Sequence, residues 1–149
     1  MFEVFDFRKK TVRNATGALL GSCGLERGMY VRRDQDGAIL WMVDPPRRPL
    51  QSSHHVLDAN GKQIGLIQGK KLFEHDQHFA TLSEAGGLFA DGYKIRNLAG
   101  RVLGSLTNES RFWHIHQTIR LRSQPSLTAA RRAIVAAAVC AIDNARFGE

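Results

Sequence analysis

The chain has 149 residues, a formal net charge of +7, 43% hydrophobic and 23% charged residues, and a pI near 10.0. That composition excludes wholesale disorder and suits one domain with a core of its own. Two cysteines exclude a disulfide framework and fit a reduced, intracellular setting. The basic excess suits an anionic partner (phospholipid head groups, nucleic acid or acidic protein), with plain solubility as the competing reading.

Residues 1–7 alternate like an edge or barrel strand, and the acids Glu3 and Asp6 within them argue against a signal peptide. A short pattern then recurs: Asn14 to Gly17, Asp34 to Gly37, Asp58 to Gly61 and Asn97 to Gly100 each place Asn or Asp three residues before glycine. The first residue caps backbone donors and the glycine takes the positive φ that reverses a hairpin, so these are assigned as structural turn residues. Three positions past each glycine stands an apolar residue (Leu20, Leu40, Ile64, Leu103), followed by Gly21, Trp41, Gly65 and Gly104 respectively. A weaker copy runs from Leu82 to Gly87. Pro45, Pro46 and Pro49 make residues 44–53 a surface loop. Residues 69–77 read as a second connection, exposing Lys70, Lys71, Glu74 and Asp76. Residues 112–121 form the last strand, with Trp113, Ile115, Ile119 and Leu121 on one face and His114, His116, Thr118, Arg120 and Arg122 on the other. Two strands per turn unit, plus these first and last segments, give about twelve, too many for a flat open sheet of this size.

After Pro125 the pattern changes to a helix over about 126–147, with Ser126 as N-cap and Gly148 near its end. Its centre includes Ala133, Ile134, Val135, Ala137, Ala138, Cys140, Ala141 and Ile142 and is apolar all round, which demands burial all round. Ten residues rise only about 15 Å, half of a hydrocarbon core of roughly 30 Å, so a membrane span is not expected. A barrel of about twelve strands leaves a lumen that side chains alone do not fill, and a helix about 10 Å across suits it. The expected fold is mainly β: one domain over residues 1–149. Strands over about 2–122 close into an antiparallel barrel around a buried C-terminal hydrophobic helix.

This order of hairpins and this helix resemble the superfamily of the tubby C-terminal domain, the plant LURP-one-related proteins and the phospholipid scramblases. The stretch from Arg132 to Asp143 is similar to the scramblase and LURP-one terminal helix, basic at its start, apolar through its middle and closing on Ile142-Asp143. Val56 to Gly65, reading Val-x-Asp-x-x-Gly-x-x-Ile-Gly, is similar to a strand pair of those families. By hairpin order the resemblance covers essentially the whole chain, and it implies a tubby-like barrel that meets phospholipid. Scramblases place an acidic, calcium-binding stretch before the terminal helix; residues 121–128 carry no carboxylate, so no calcium site is expected.

Lys94 and Arg96 alternate with Tyr93 and Ile95, so they share a face, as do Arg120 and Arg122 on the last strand. If those strands lie side by side, the four cations form a site for a phosphorylated head group, the competing reading being a solvated exterior. Arg131 and Arg132 are expected to snorkel from the helix start toward the barrel rim, and Asp143 to bond at the barrel mouth or to a neighbouring arginine. His54-His55, His75 with His78, and His114 with His116 are the candidates for a metal site. No cysteine or carboxylate spacing supports them, and no metal is expected. Cys140 lies in apolar helix and Cys23 at a loop or strand end as filler, so no catalytic residue is assigned. Without a phosphate loop or acid/base pair, neither an enzyme nor a cofactor is expected. Nucleic acid is not expected either, because 8% aromatics, mostly inward, supply no stacking groove. The expectation is a non-enzymatic, cytoplasmic barrel that binds anionic phospholipid, peripheral at the inner face of the plasma membrane. The alternatives are lipid scrambling and a protein-interaction scaffold.

Overall fold

Twelve strands form in chain order. The first six are β1 (Phe2–Asp6), β2 (Thr11–Arg13), β3 (Leu19–Glu26), β4 (Met29–Asp34), β5 (Ile39–Val43) and β6 (Ser53–Leu57). They are followed by β7 (Gln63–Gln68), β8 (Lys71–Glu74), β9 (Gln77–Glu84), β10 (Gly92–Asn97), β11 (Val102–Asn108) and β12 (Thr118–Ser123), then helix α1 (Ala129–Phe147). Each strand pairs antiparallel with its neighbours in sequence and β12 pairs with β1, so the sheet is a closed barrel. The structure, a computed structural model, describes residues 2–44, 53–84, 92–108 and 118–147, without the side chains of Glu84, Asn108 and residues 142–147. The proline loop at 45–52, the turn expected at 85–87, His114, His116 and Gly148 lie outside the described residues, as do the side chains of Ile142 and Asp143.

The repeated pattern encodes both a turn and a bulge. In all four copies the Asx carboxylate or amide oxygen accepts from the backbone N–H groups two and four residues on, at 2.9–3.0 Å. The closing glycine lies at φ 80–87°, a left-handed conformation that costs glycine little. Immediately after each turn the register slips by one, leaving Leu20, Leu40, Ile64 and Leu103 as the extra residues. Bulges increase strand twist and bend the sheet. Antiparallel order puts all four at one end of the barrel, which we call the turn end, and α1 enters the lumen there.

At three of the four bulges the residue that follows is fitted to what the lumen holds at that height. A Cβ on Gly65 would lie 2.5 Å from Ile134 Cγ1 and 2.7 Å from the Phe73 carbonyl oxygen, so β7 can approach α1 only without one. A Cβ on Gly21 would lie 2.6 Å from the Arg32 guanidinium. Trp41 instead fills the lumen and is almost fully buried.

From Ile134 to Ala141 every residue of α1 is buried. The helix packs against β5, β6, β7, β8 and β12, and Cys140 Sγ lies 3.7 Å from Cys23 Sγ on β3. Contacts on so many strands of a closed sheet make α1 its central element. The inward side chains Phe5, Val12, Val43, Val56, Ile67, Leu72, Ile95, Ile119 and Leu121 complete the core.

Three expectations need correction. Residues 69–77 are not a connection: Lys71–Glu74 form β8, with Leu72 fully buried, and His75 makes the next turn at φ 51°. That turn has no Asx–Gly signature, so the strand beside it reads as loop. Helix α1 starts at Ala129 and its N-cap is Thr128, whose hydroxyl accepts from the Arg131 N–H at 3.2 Å, rather than Ser126. Cys23 is an inward residue of β3, not of a loop.

Arg32 on β4 faces the lumen with its side chain 5% exposed, and its guanidinium reaches Glu3 of β1 at 3.3 Å. It also donates to the Arg33 carbonyl, while its buried Nε has no partner among the described residues. This ion pair sits inside the turn end of the barrel, where the missing Cβ of Gly21 gives it room.

Candidate functional site

Strand register turns scattered basic residues into rows. Lys94 pairs with Ser105, Ser105 with Arg122, and Arg122 with Phe2, so β10, β11, β12 and β1 contribute one line across the outer face. A second line runs Thr107, Arg120, Val4 and Arg13 over β11, β12, β1 and β2. These alternate with the inward Ile95, Leu106, Leu121 and Phe5, which confirms their outward orientation. β10 and β12 are therefore not neighbours but flank β11, which places Lys94 and Arg122 about 10 Å apart at the usual strand spacing.

The four expected cations face outward on two strands that β11 separates, and they are unequal in chemistry. Arg96 is committed to its own hairpin, donating to the Gly100 carbonyl at 3.0 Å. Arg13 and Arg33 do the same for Gly17 and Gly37, at 3.0 and 2.7 Å. The arginine before Asx is thus a third part of the turn motif, and only the copy led by Leu57 lacks it. Arg120 and Arg122 lie over the Phe2 ring, their guanidinium carbons 5.4 and 6.0 Å from its centroid. Stacking on the ring face holds a guanidinium in orientation without consuming its N–H edges. Arg122 and Lys94 are exposed, and among the described residues no hydrogen bond or ion pair engages either side chain.

Arg33, Arg131 and Arg132 lie elsewhere on the barrel and are matched. Arg33 donates to both oxygens of Glu26, at 2.9 and 3.0 Å. That hydrogen bond, with the arginine's charge, holds the Glu26 carboxyl below its ordinary range and raises Arg33 above its own. Arg131 donates to Glu74 at 2.8 Å and covers the Phe79 ring at 4.9 Å, and Arg132 donates to the Pro125 and Leu127 carbonyls. Arg131 fastens the entry of α1 to the rim at β8, whereas Arg132 bonds back onto the segment leading into α1, and Glu74 is a part-buried partner rather than an exposed loop residue. On the cationic face Asp6 contributes a carboxylate at the far end of β1, where it accepts from the Arg8 and Lys9 backbone N–H groups.

At Arg122 and Ser105, the register partner of Lys94, a cleft of about 500 Å³ opens at the turn end, lined by Phe2, Val102, Leu103, Gly104, Ser105, Arg122, Ser123, Gln124 and Pro125. Gln124 forms a fixed wall: its backbone N–H donates to the Leu103 carbonyl and its side-chain amide to that of Val102.

The described histidines do not gather. His54 is buried with Nδ1 on the Asp44 carbonyl, and His55 faces the Asp44 carboxylate at 3.3 Å. His78 donates to the Ala80 carbonyl and packs on Phe73. Among the described residues no group of three or more His, Cys, Asp or Glu side chains could hold a metal ion. Sequence reading missed Arg13 and Phe2 as members of the cationic face. The alternation of each strand was the available signal, but their neighbours appear only once β12 closes on β1.

No known family's model matches the chain, and no curated protein matches it. Among solved structures, an Arabidopsis thaliana protein determined by X-ray crystallography is similar with a TM-score of 0.51 over 97% of this chain and 91% of that one. Identity is 11%, so the likeness is one of fold. Among the described residues no helix is long and apolar enough to cross a membrane.

Proposed function

We propose that this chain is a non-enzymatic barrel, akin to the scramblase and LURP-one-related members of the tubby C-terminal-like superfamily, that binds anionic phospholipid at a membrane surface. Its place in this reading is peripheral, on the cytoplasmic inner face of the plasma membrane, and its ligands include phosphoinositide-like head groups. The observation that carries it is the outer face of β10–β12–β1–β2, where Lys94, Arg120, Arg122 and Arg13 line two register rows. Basic residues near an anionic surface each contribute about 1 kcal/mol, and two of these are held in place over an aromatic ring. Moving lipid between leaflets is a poorer fit to the same fold. The apolar stretch of α1 is already enclosed, and withdrawing it would leave the inward side chains of the sheet without a partner.

Flotation with vesicles tests this. Wild type is expected to float with vesicles containing anionic lipid and not with neutral ones, and to release as ionic strength rises. The variant K94Q/R120Q/R122Q should lose about a hundredfold in partitioning, three contributions of about 1 kcal/mol each. Removing equal charge elsewhere, at the exposed Arg27, Lys62 and Lys71, should cost far less. Equal loss from both triples, or negligible binding by wild type, would overturn the reading.

A further inference from the structure

Resting on that reading, we propose that the cleft at the turn end of β1, β11 and β12 seats a single glycerophospholipid molecule, its phosphate between Lys94 and Arg122. The two cations stand on either side of Ser105 in one register row, and Arg122 and Ser105 also line the cleft. Among the described residues no hydrogen bond or ion pair occupies the Lys94 ammonium, the Ser105 hydroxyl or the Arg122 guanidinium. Arg96 and Arg13, by contrast, are spent on their turns. Three free donors of this kind suit a phosphate: a guanidinium fork, an ammonium point charge and a hydroxyl.

The rest of the cleft has a different chemistry. Phe2, Val102, Leu103 and Pro125 make one side apolar, and among the described residues no carboxylate lines it. A free inorganic anion would leave that side unused. A phosphate joined through glycerol to an acyl chain uses both, and the open cleft of about 500 Å³ has room for the part of such a molecule nearest the phosphate. Phe2 ties the halves together, since its ring carries the Arg122 guanidinium and also borders the cleft. The surface rows hold the protein near a charged membrane, while the cleft selects one lipid from it.

The test uses the full chain with dihexanoyl phosphatidic acid below its micelle concentration, glycerol 3-phosphate and inorganic phosphate as probes, read by backbone amide shifts and calorimetry. The short-chain lipid should bind at least about tenfold more tightly than either soluble phosphate, because only it meets the apolar wall. Perturbed amides should centre on residues 102–105 and 122–124. R122Q should weaken the lipid about tenfold through loss of a charge-assisted hydrogen bond, and Ser105→Trp should block the cleft without changing charge. Thermal melts of both variants establish that they fold, and R122Q, an exposed change, remains informative if the tryptophan variant does not. Equal affinity for all three probes would overturn the lipid assignment and leave a phosphate site. If wild type floats with anionic vesicles while the short-chain lipid does not bind, the cleft proposal falls and surface binding stands. Short-chain binding without flotation would instead uphold the cleft and remove membrane docking.

Discussion

Replacing Gly65 with valine is expected to leave the protein unable to close its sheet properly around α1, with stability falling by about 3 kcal/mol. For a domain of this size that corresponds to a melting temperature lower by roughly 10 °C, measurable by far-ultraviolet circular dichroism. The reason is geometric. The added Cβ would press on Ile134 from one side and on the Phe73 carbonyl oxygen, 2.7 Å away, from the other. Ile134 is fully buried and the carbonyl belongs to the paired strand β8, so neither can step aside cheaply. Combining the change with Ile134→Ala should recover only part of the loss, because the backbone contact remains. A Gly65→Val protein melting within a few degrees of wild type would mean that β7 and α1 do not approach as described.

Arg32→Met is expected to be comparably severe, costing about 3–5 kcal/mol. The Glu3 carboxyl, with its side chain 11% exposed, would then face the lumen without its cation. Removing both charges, as Arg32→Met with Glu3→Leu, should restore most of the stability, since two apolar groups carry no desolvation penalty. The 3.3 Å separation and the unpartnered Nε support that ordering, because the existing pair offsets its own desolvation incompletely. Urea unfolding of the two single variants and the double variant measures it. A double variant no more stable than Arg32→Met alone would show that Glu3 and Arg32 do not meet inside the barrel.

The sequence revealed what local chemistry decides. Asx oxygens, glycines with left-handed φ and the apolar residues after them are short-range devices, so Asn14, Asp34, Asp58 and Asn97 mark real hairpins and Leu20, Leu40, Ile64 and Leu103 mark real bulges. The all-round apolar character of α1 was equally legible, because burial on every side leaves no polar face. β8 was hidden because His75, unlike glycine, gives no sign that its backbone is left-handed.

Contacts across the lumen were also hidden. Glu3 and Arg32 look like ordinary surface charges until the barrel closes, and Cys23 and Cys140 stand 117 positions apart in sequence. The cationic face lay between these cases. Alternation placed Lys94 with Arg96 and Arg120 with Arg122, but only the register showed β11 between them, Arg96 committed to its turn, and Phe2 beneath the two guanidinium groups.

The threading of α1 through the sheet is tested most directly by mapping the products of mild thiol oxidation with diamide, using mass spectrometry. Cys23 and Cys140, 3.7 Å apart and both buried, should form one disulfide within a single molecule, joining β3 to α1. Alkylation of Cys140 in the folded protein as fast as in denaturant, or disulfides formed only between molecules, would contradict a helix enclosed by the barrel.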